Sequence, residues 1–513
     1  MGGAAVLALG GIIAKLVGAF YRVPLTNILG AEGMGMYQLV FPVYALFMTM
    51  STAGIPTALS RIVAEQKARG EGAKKYLFSA LMTLLTVSVL AGVLVVALSS
   101  VLARWQGNEA TAIGYTVIAP SVFFVGIIAG LRGWFQGEMY MVPTAVSNVV
   151  EQIVKLGVGV GLAVALAPRG TLASVCGALA GVTVSEAVAA LYLVVTYAVR
   201  TRKNPKEKLI PNRQEAGAMF RVAFPIALLG IMLPLGSFFD SLIIVNALKW
   251  GGASTPAATA LYGLYSGPVN SLINMPVVII MSLAIAVVPS VSLSRVEHDA
   301  AAIVLKSRMS LKIVYLIGVP ATLFFMVFGT NILSVLYPAL SPQEISISSG
   351  LVRIASFGVV LTSATQIYVS LLQGLDRTFS AIKSLFAAIV VKIAVSLVAV
   401  RFIGIAGAAV ASVAMSAVSL AGCGAAFCRL TSVHVEKNIA QTLISGVIMA
   451  LIGVVVREYV PTDIGVLVAG GAVCGIVYFL LVTLFGVFDE EECAFMPFGR
   501  YFARLRKKIR FWE

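Results

Sequence analysis

Long runs without a charged side chain constrain this sequence more than any motif does. The run from Tyr76 to Ala103 has no charged residue, and the run from Met309 to Tyr337 has only Lys312. Both exceed the roughly 20 residues that cross a bilayer as an α-helix. Over the 513 residues, 59% are hydrophobic and 12% are charged, whereas soluble domains carry about 25% charged residues. A mean hydropathy of +0.98 agrees with a chain that lies mostly in lipid.

The fold class predicted from these runs is an all-α polytopic membrane protein with about 14 transmembrane helices. The runs are continuously apolar and rich in Gly and Ala, whereas a membrane barrel would show short alternating segments. We expect the first run to stay as a helix, because it lacks a basic start and a cleavage site. The predicted spans are 3–29, 38–64, 76–103, 113–135, 143–167, 172–199, 220–248, 259–293, 308–337, 348–374, 380–401, 406–429, 438–458 and 463–487.

The distribution of Lys and Arg predicts the orientation of the spans. With the N-terminus inside, 27 of the 37 cations fall in cytoplasmic connections with the adjoining span ends and in the tail, five fall on the opposite side and five lie deeper within spans. Because cytoplasmic loops collect positive charge, we expect both termini to be cytoplasmic and the number of spans to be even. The net charge of +15 then reflects topology and anionic lipids, and not nucleic-acid binding.

A motif that occurs twice indicates an internal duplication. Gln136-Gly137 is followed eighteen residues later by Lys155, and Gln373-Gly374 is followed at the same interval by Lys392. Residues 55–57 likewise recur at 288–290. We therefore expect two parallel repeats, as in transporters whose path lies between two halves.

A weaker match extends the repeat to the first helix. Residues 19–22 align with 237–240, which gives Asp240 the repeat position of Arg22. Six spans in each half predict two pseudo-symmetric six-helix lobes, with two extra C-terminal helices. The predicted domains are an N-terminal lobe at 1–200, a cytoplasmic linker at 201–219, a C-terminal lobe at 220–430, helices 13 and 14 at 431–488, and a basic amphipathic cytoplasmic tail at 489–513.

The motifs of nucleotide and metal chemistry are absent from the sequence. No Gly-Lys dipeptide occurs, so no Walker A loop can bind ATP phosphates. The only histidines, His298 and His434, fall in predicted cytoplasmic connections, and the five cysteines form no Cys-x-x-Cys pair. We predict no catalytic residue, no metal site, no nucleotide and no cofactor. The membrane potential or a monovalent cation is then the expected source of energy.

Charged residues inside the spans are the main candidates for function. Each costs about 2.5 to 3.5 kcal/mol there and should face protein or water. The spans contain five cations but only three acids, Glu151, Glu186 and Asp240. The interior is therefore electropositive and suits an anionic substrate. Lys15 and Arg22 lie seven residues apart on one face of the first helix, as residues that line a wet cavity would. Snorkelling of Arg22 to the outer surface is the alternative.

Uncharged polar residues and one cross-repeat pair add to this predicted site. Asn270 and Asn274 supply donors for sugar or amide groups, although such residues often serve only in helix packing. Arg22 and Asp240, at equivalent repeat positions, predict an ion pair between the lobes that holds one gate closed. A static structural bridge is the alternative.

Five residues inside the predicted spans are related to the sequence repeat. They are Gln136, Glu151, Lys155, Gln373 and Lys392. Glu151 lies four residues before Lys155, so the two can neutralise each other along one helix. Lys392 has no such partner on its own helix. A structural role for both lysines, such as binding the carbonyl end of a broken helix, and a role in the substrate path are both open.

Several segments resemble the multidrug/oligosaccharidyl-lipid/polysaccharide exporter superfamily. Within it, the sequence is most similar to the Gram-positive branch that contains stage V sporulation protein B and MurJ-type lipid II flippases. The segments that carry the resemblance are 15–22, 29–35, 54–57, 135–137, 141–144 and 151–152.

The resemblance implies a two-lobed transporter, not an enzyme, that alternates between inward-open and outward-open states in a bacterial plasma membrane. Its implied substrate is an undecaprenyl-diphosphate-linked cell-wall glycan precursor, moved from the inner to the outer leaflet for peptidoglycan or spore cortex synthesis. The implied partners are this lipid-linked anionic glycan and membrane lipids, the transport unit is a monomer, and helices 13 and 14 form a groove for the lipid tail. The cationic cavity positions of the family fall on Lys15 and Arg22. In contrast to Gram-negative flippases, Val23 and not an acid follows Arg22, and the predicted helix at 259–293 has no arginine before Pro276.

Other functions fit parts of the same sequence. A cation-coupled multidrug exporter on this fold would need a carboxylate such as Asp240 or Glu186 in the cavity, but the excess of buried cations argues against cationic drugs. An exporter of another lipid-linked polysaccharide unit would use the same features. A membrane glycosyltransferase or polymerase needs acids in a large outer loop, and the predicted outer loops are short.

Overall fold

The structure, a computed structural model, describes residues 2–52, 54–202, 213–431 and 438–487. Within these ranges the chain is almost entirely helical, and no β-strand occurs in them. Most of the predicted linker (201–219) and the whole predicted tail helix (489–513) lie outside the described residues.

Eighteen α-helices occur in the described ranges, and four short segments with other helical hydrogen bonding interrupt or join them. Two of these segments are 3-10 helices, Glu109–Thr111 and Ala167–Arg169, and two are π-helices, Lys155–Gly159 and Tyr265–Val269. The α-helices are α1 Gly2–Thr52, α2 Ile55–Ala68, α3 Lys74–Ala97, α4 Ser99–Trp105, α5 Ala112–Gly137, α6 Val142–Val154, α7 Val160–Leu166, α8 Thr171–Thr201, α9 Arg213–Trp250, α10 Thr255–Leu264, α11 Asn270–Val296, α12 Ala300–Leu336, α13 Pro342–Ala355, α14 Phe357–Gly374, α15 Thr378–Ile403, α16 Ala406–Cys428, α17 Asn438–Tyr459 and α18 Asp463–Leu484.

The lengths and apolarity of these helices confirm a polytopic membrane protein. Twelve stretches in the described ranges are long and apolar enough to cross a bilayer, or 13 when α13 and α14, which are bent by 42° at their junction, form one span. The first stretch, Leu9–Ala68, has 60 residues, roughly 90 Å of helix, or about three bilayer thicknesses. Its backbone leaves the helical conformation at Gly30 (φ 66°, ψ −175°). If this stretch counts as two spans, and α13 with α14 counts as one, the total is 14 spans, the number predicted from the sequence.

Two compact units make up the chain, Met1–Ser271 with Ile389–Ala411, and Leu272–Ala388 with Ser412–Glu513. The lobes predicted from the sequence repeat, 1–200 and 220–430, divide the chain differently from these two units. The lobe boundaries stay a prediction.

The core of the first unit is built from side chains on both sides of the break at Gly30. Tyr21, Leu25, Tyr37 and Tyr44 of α1 belong to one buried cluster together with residues of α3, α5 and α8. Close approach of α1 and α10 depends on glycine, because a Cβ at Gly35 would meet the carbonyl of α10 residue 259. The two arms of α1 therefore pack as separate helices around a shared core.

Buried amide and hydroxyl groups tie α9 to the N-terminal segments of this unit. The Gln106 side chain donates to the Leu39 carbonyl (2.8 Å) and to the Ser241 hydroxyl (2.9 Å). The Tyr115 hydroxyl donates in turn to the Gln106 side-chain oxygen (2.5 Å). Because every polar group in this network is buried and bonded, it fixes the position of Ser241 and of the α9 residues beside it.

In the second unit, α17 and α18 pack on α12 through an aromatic ring and two glycines. A Cβ at Gly470 would lie 2.6 Å from the Phe328 ring, and one at Gly453 would lie 3.1 Å from it. The Asn331 side chain also donates to Asp463 at the start of α18 (2.6 Å). The two helices that were predicted as an addition to the lobes thus share a specific contact with α12.

Both Gln-Gly motifs end a helix with the same backbone geometry. α5 ends at Gly137 and α14 at Gly374, and two residues later Met139 (φ 58°) and Asp376 (φ 60°) are left-handed. In each case the left-handed residue donates its amide to the Gln carbonyl, and the next amide donates to the carbonyl before the Gln. This is the Schellman pattern of helix termination. The motif found twice in the sequence has the same local structure in both halves.

The glycine of each motif also permits a close helix contact in its own half. A Cβ at Gly137 would lie 2.5 Å from the Val63 side chain of α2. A Cβ at Gly374 would lie 3.0 Å from the Val291 side chain of α11. The contacted helices contain the other repeated motif, at 55–57 and 288–290. The helices that contain the two motifs therefore pack against each other in both halves.

Candidate functional site

The candidate site starts from the cations of α1. Lys15 and Arg22 are both partly buried, on the arm of α1 that precedes the break at Gly30. Within the described residues neither of them forms an ion pair, whereas other intramembrane cations do. Their charges are thus available to a ligand. The structure agrees with the predicted cationic face of the first helix and leaves its role in binding a prediction.

Lys155 joins this region from a different helix. It is the first residue of the π-helix Lys155–Gly159, which follows α6, and its Nζ atom lies 5.9 Å from the centre of the Tyr21 ring. At the other end of the π-helix, a Cβ at Gly159 would lie 3.0 Å from the Tyr21 hydroxyl. The π-helix therefore packs directly on Tyr21, the residue before Arg22, and holds Lys155 there. Ammonium groups over aromatic rings are attracted to the ring face.

Glu151 is neutralised by Arg132 and not by Lys155, which corrects the predicted pairing along one helix. The Arg132 Nη2 atom lies 3.0 Å from Glu151 Oε2, and its Nε donates to the Ser147 hydroxyl (2.9 Å). Gln152 donates to the other Glu151 oxygen (2.8 Å). Side-chain exposures of 20% for Arg132 and 14% for Glu151 make this a largely buried pair.

Arg132 is a residue that the sequence reading missed. It was counted with the cytoplasmic connections, although the predicted span 113–135 includes it, and it lies inside α5, five residues before the helix ends at Gly137. Its spacing from the Gln136-Gly137 motif gives no signal for a partner on α6. The third acid of the region, Glu186, is buried on α8 and accepts a hydrogen bond from the Tyr44 hydroxyl (3.3 Å).

Lys392 and Asp240 form a buried ion pair in this structure, whereas the sequence predicts a pairing of Asp240 with Arg22 in one state of the transporter. The Lys392 Nζ atom of α15 lies 2.6 Å from Asp240 Oδ2 of α9. The side chains are only 9% and 11% exposed. Within the described residues Asp240 forms its ion pair with Lys392 alone, so a contact with Arg22 would belong to another conformation. The predicted gate stays a prediction for that conformation.

The other predicted residues lie as follows. Asn270 begins α11 after the π-helix Tyr265–Val269 and is partly buried, and Asn274 is exposed one turn later. Gln136 and Gln373 contribute their backbone carbonyls to the two helix caps. Sugar binding by the asparagines and any role of the glutamine side chains stay predictions.

The charges of the first unit do not cancel locally. Glu151 is paired with Arg132, and Asp240 is paired with Lys392. Lys15, Arg22 and Lys155 have no carboxylate within ion-pair distance in the described ranges. Because an uncompensated charge inside a membrane span is costly, three such cations indicate a site that faces water or a negatively charged ligand.

A polytopic fold of this size with an electropositive interior fits a membrane transporter, which is the class that the sequence predicts. Residues 1–295 match the family described as "Polysaccharide biosynthesis protein". The match covers more than half of the sequence, and the chain belongs to that family.

Relatives in Bacillus subtilis (strain 168) agree with the class. Stage V sporulation protein B is 27% identical over 342 residues, 65% of this chain and 66% of that protein, just under two thirds of its length. The lipid II flippase MurJ is 24% identical over 434 residues, 77% of this chain and 76% of the relative. The uncharacterized membrane protein YabM is 25% identical over 99% of this chain and 96% of its own length.

Solved structures confirm the fold. The lipid II flippase MurJ in an inward closed conformation matches 94% of this chain and 99% of that chain, with a TM-score of 0.72 and 12% identity. An inward-facing MATE family multidrug transporter matches 82% of this chain and 94% of its own, with a TM-score of 0.67 and 16% identity. The predicted fold is confirmed, and the relatives and solved structures that carry a functional name are flippases and transporters.

Proposed function

We propose that this protein is an alternating-access flippase that moves an undecaprenyl-diphosphate-linked glycan precursor from the inner to the outer leaflet. The observation that carries the proposal is the pair Lys15 and Arg22, two cations on one face of a membrane helix that form no ion pair within the described residues. A diphosphate supplies the negative charge that such a face requires. The names of two relatives, a lipid II flippase and a sporulation protein, support a substrate for peptidoglycan or spore cortex.

Chemistry and topology support the same proposal. A diphosphate lipid carries its charges at the head, so the head needs a polar path while the tail stays in lipid. Binding of the diphosphate can drive a change of state only if Lys15 and Arg22 hold it more tightly in one state than in the other. The absence of a nucleotide motif from the sequence makes the membrane potential or a monovalent cation the proposed source of energy.

The proposed setting is a bacterial plasma membrane with both termini in the cytoplasm, where lipid-linked precursors are made. The proposed transport unit is one chain. The proposed contact for the lipid tail is the surface of α17 and α18, whose side chains include many exposed hydrophobic residues such as Leu451, Val468 and Ile476.

A cation-coupled multidrug exporter is the second candidate, favoured by the likeness to the MATE transporter fold. Such a transporter needs a free carboxylate to bind its coupling ion. Asp240 is held by Lys392 and Glu151 by Arg132, which leaves Glu186 as the acid without an ion pair among the three. Three uncompensated cations in the same unit disfavour a cationic drug and favour the anionic lipid.

The test is depletion of the protein in its own host, followed by measurement of the lipid-linked precursors on the cytoplasmic face. We expect one undecaprenyl-diphosphate-linked glycan to accumulate, and the identity of that glycan to name the substrate. Complementation with Lys15→Ala/Arg22→Ala should fail to clear it at normal expression, whereas Arg61→Ala, an exposed cytoplasmic cation, should clear it. Unchanged precursor pools after depletion would refute the proposal.

A further inference from the structure

Residues 105–108, here called the strap, end α4 and bond to α9 through their backbone. The Asn246 side-chain amide donates to the Trp105 carbonyl (2.5 Å), and the Lys249 ammonium donates to the Gly107 carbonyl (2.9 Å). Carbonyls at the C-terminal end of a helix have no partner within it, and a cation is favoured beside them. The last turns of α9 therefore supply the donors that the end of α4 needs.

The side chains of the strap reach both α9 and α10. The Gln106 amide donates to the Ser241 hydroxyl of α9 (2.9 Å), and the Asn108 amide donates to the Thr259 hydroxyl of α10 (3.0 Å). Gln106 and Asn108 are buried, with exposures of 0% and 6%. Because buried polar groups have lost their hydration, each bond is costly to break unless another partner replaces it. All four strap residues are thus bonded to α9 or α10.

Gly107 shows that contact with α9 shapes the strap. Its left-handed backbone (φ 79°) ends α4 with the same hydrogen bonds that end the helices at the two Gln-Gly motifs. At those motifs the left-handed residues are Met139 and Asp376, so this cap tolerates a side chain. A Cβ at Gly107, however, would lie 2.6 Å from Asn246 Oδ1 and 3.4 Å from the Val245 side chain. Close packing on α9, and not the turn alone, therefore requires glycine here.

The stretch of α10 that the strap binds also contacts α1. A Cβ at Gly35 of α1 would meet the Thr259 carbonyl, and a Cβ at Gly263 of α10 would meet the Ala31 carbonyl. The two helices therefore touch backbone to backbone at reciprocal glycines. Thr259 is part of both contacts, since its hydroxyl accepts from the strap and its carbonyl lies against α1.

These contacts join the two halves of the sequence repeat near one end of their helices. The strap and α1 belong to the first half, and α9 and α10 belong to the second. From α15 and α16, the first compact unit includes only 389–411, the residues around the connection between them. In the predicted topology this connection and the strap lie on the side opposite the termini. A path between two halves opens on one side at a time, so contacts that join the halves on one side keep that side closed.

We propose that the strap is the outer gate of the transport path, and that its bonds to α9 and α10 release when the path opens outward. This inference rests on the proposed function and on its orientation, with both termini in the cytoplasm. The transported head group reaches the outer leaflet only in the released state. Water that enters the opened mouth replaces each lost hydrogen bond, so the strap can release and close again.

The first test measures cysteine accessibility in cells, in the full chain with its five native cysteines replaced by alanine. The reporter is Val245→Cys, because Val245 is 0% exposed and lies next to Gly107. A membrane-impermeant maleimide added outside labels this cysteine only when the strap is released. Gly107→Ala places a Cβ against α9 and should release the strap. Gly404→Ala is the matched control, because Gly404 is also left-handed (φ 62°) but a Cβ there would meet nothing within 4 Å.

We expect Gly107→Ala to raise the labelling rate of the reporter by about five-fold or more, and Gly404→Ala to leave it unchanged. If Gly107→Ala does not elute as the parent chain does in size-exclusion chromatography, Lys249→Met, which removes one strap bond, takes its place with the same expected result. A strap variant that labels no faster than the control would overturn the gate and leave the flippase proposal to the precursor assay.

A disulfide across the strap tests the link to transport. Asn108→Cys/Thr259→Cys replaces the hydrogen bond between these side chains by a covalent bond after oxidation with copper phenanthroline, checked by mass spectrometry. Oxidation should stop the clearance of accumulated precursor, and dithiothreitol should restore it, whereas the single cysteine variants should respond to neither treatment. Clearance by the oxidised double variant would overturn the gate. If the reporter behaves as expected but depletion changes no precursor pool, the gate is kept and the flippase is rejected.

Discussion

Breaking the Lys392–Asp240 ion pair on one side should destabilise the protein far more than breaking an exposed ion pair. Lys392 and Asp240 are 9% and 11% exposed and their charged atoms are 2.6 Å apart. Lys392→Met leaves the Asp240 carboxylate buried without a partner. Asp240→Leu leaves the Lys392 ammonium buried without a partner. Loss of one partner of a buried pair costs about 3 to 5 kcal/mol.

The chain offers a control of similar geometry in a different environment. Arg61 and Glu65 lie 2.9 Å apart, but their side chains are 70% and 50% exposed. A pair of this kind contributes about 0.2 to 1 kcal/mol. Arg61→Met should therefore change stability by at most about a third as much as Lys392→Met. The two variants remove the same charge and differ in burial.

The assay is the free energy of unfolding of the full-length protein, from SDS titration in mixed micelles and followed by circular dichroism. The double variant Asp240→Leu/Lys392→Met should recover most of the loss, because a buried ion pair replaced by apolar groups is close to neutral. The losses of unfolding free energy in the two single variants should therefore not add up in the double variant. Single variants that lose no more stability than Arg61→Met, or losses that simply add in the double variant, would refute this account of the pair.

Three glycine and cap predictions use the same unfolding assay. Gly470→Val should destabilise by about 1 to 3 kcal/mol, because its side chain would collide with the Phe328 ring. Gly471→Val has open space around its Cβ and replaces glycine by a better helix former, so it should change stability by less than about 1 kcal/mol and cause no loss. Equal effects would contradict the packing of α18 on α12. Met139→Gly should stabilise by about 1 kcal/mol, since Met139 is left-handed (φ 58°) and 74% exposed; a loss would mean that its side chain has a partner. Gly181→Ala should lower stability and transport together, because its Cβ would meet the backbone of the π-helix that carries Lys155; transport lost at unchanged stability would argue against a packing role.

The spans were predictable because each is a long apolar run, and the helix boundaries follow the runs closely. The first two predicted spans, 3–29 and 38–64, are joined in the structure by a helical backbone that breaks at Gly30, and the second span is divided between α1 and α2 at Gly54 (φ 84°). A left-handed glycine between two apolar runs gives no sign of whether a loop or a sharp turn follows. The duplicated Gln-Gly motif was visible in the sequence, and its helix cap was not.

The partners of the intramembrane charges were not predictable from the sequence. Lys392 and Asp240 are 152 residues apart, and Arg132 and Glu151 lie on different helices. Helical spacing identifies pairs on one helix, such as Glu151 and Lys155, but contains no information about the rotation of neighbouring helices. The π-helix at Lys155 was equally hidden, since the glycines at 157, 159 and 161 also suit ordinary helix packing.

The π-helix at Lys155 has a consequence for how duplicated halves become unlike. A π-turn closes its hydrogen bonds over five residues instead of four, so it absorbs one additional residue without ending the helix. The second half has an uninterrupted α-helix through Lys392, from Thr378 to Ile403. From Lys155 to the left-handed Gly170 there are also three more residues than from Lys392 to the left-handed Gly404. In an uninterrupted α-helix one inserted residue rotates everything downstream by about 100°, and a π-turn takes up that rotation within one turn of the helix. A symmetric ancestor could thereby gain a residue in one membrane helix and leave its twin unchanged, while both copies keep the same helix caps.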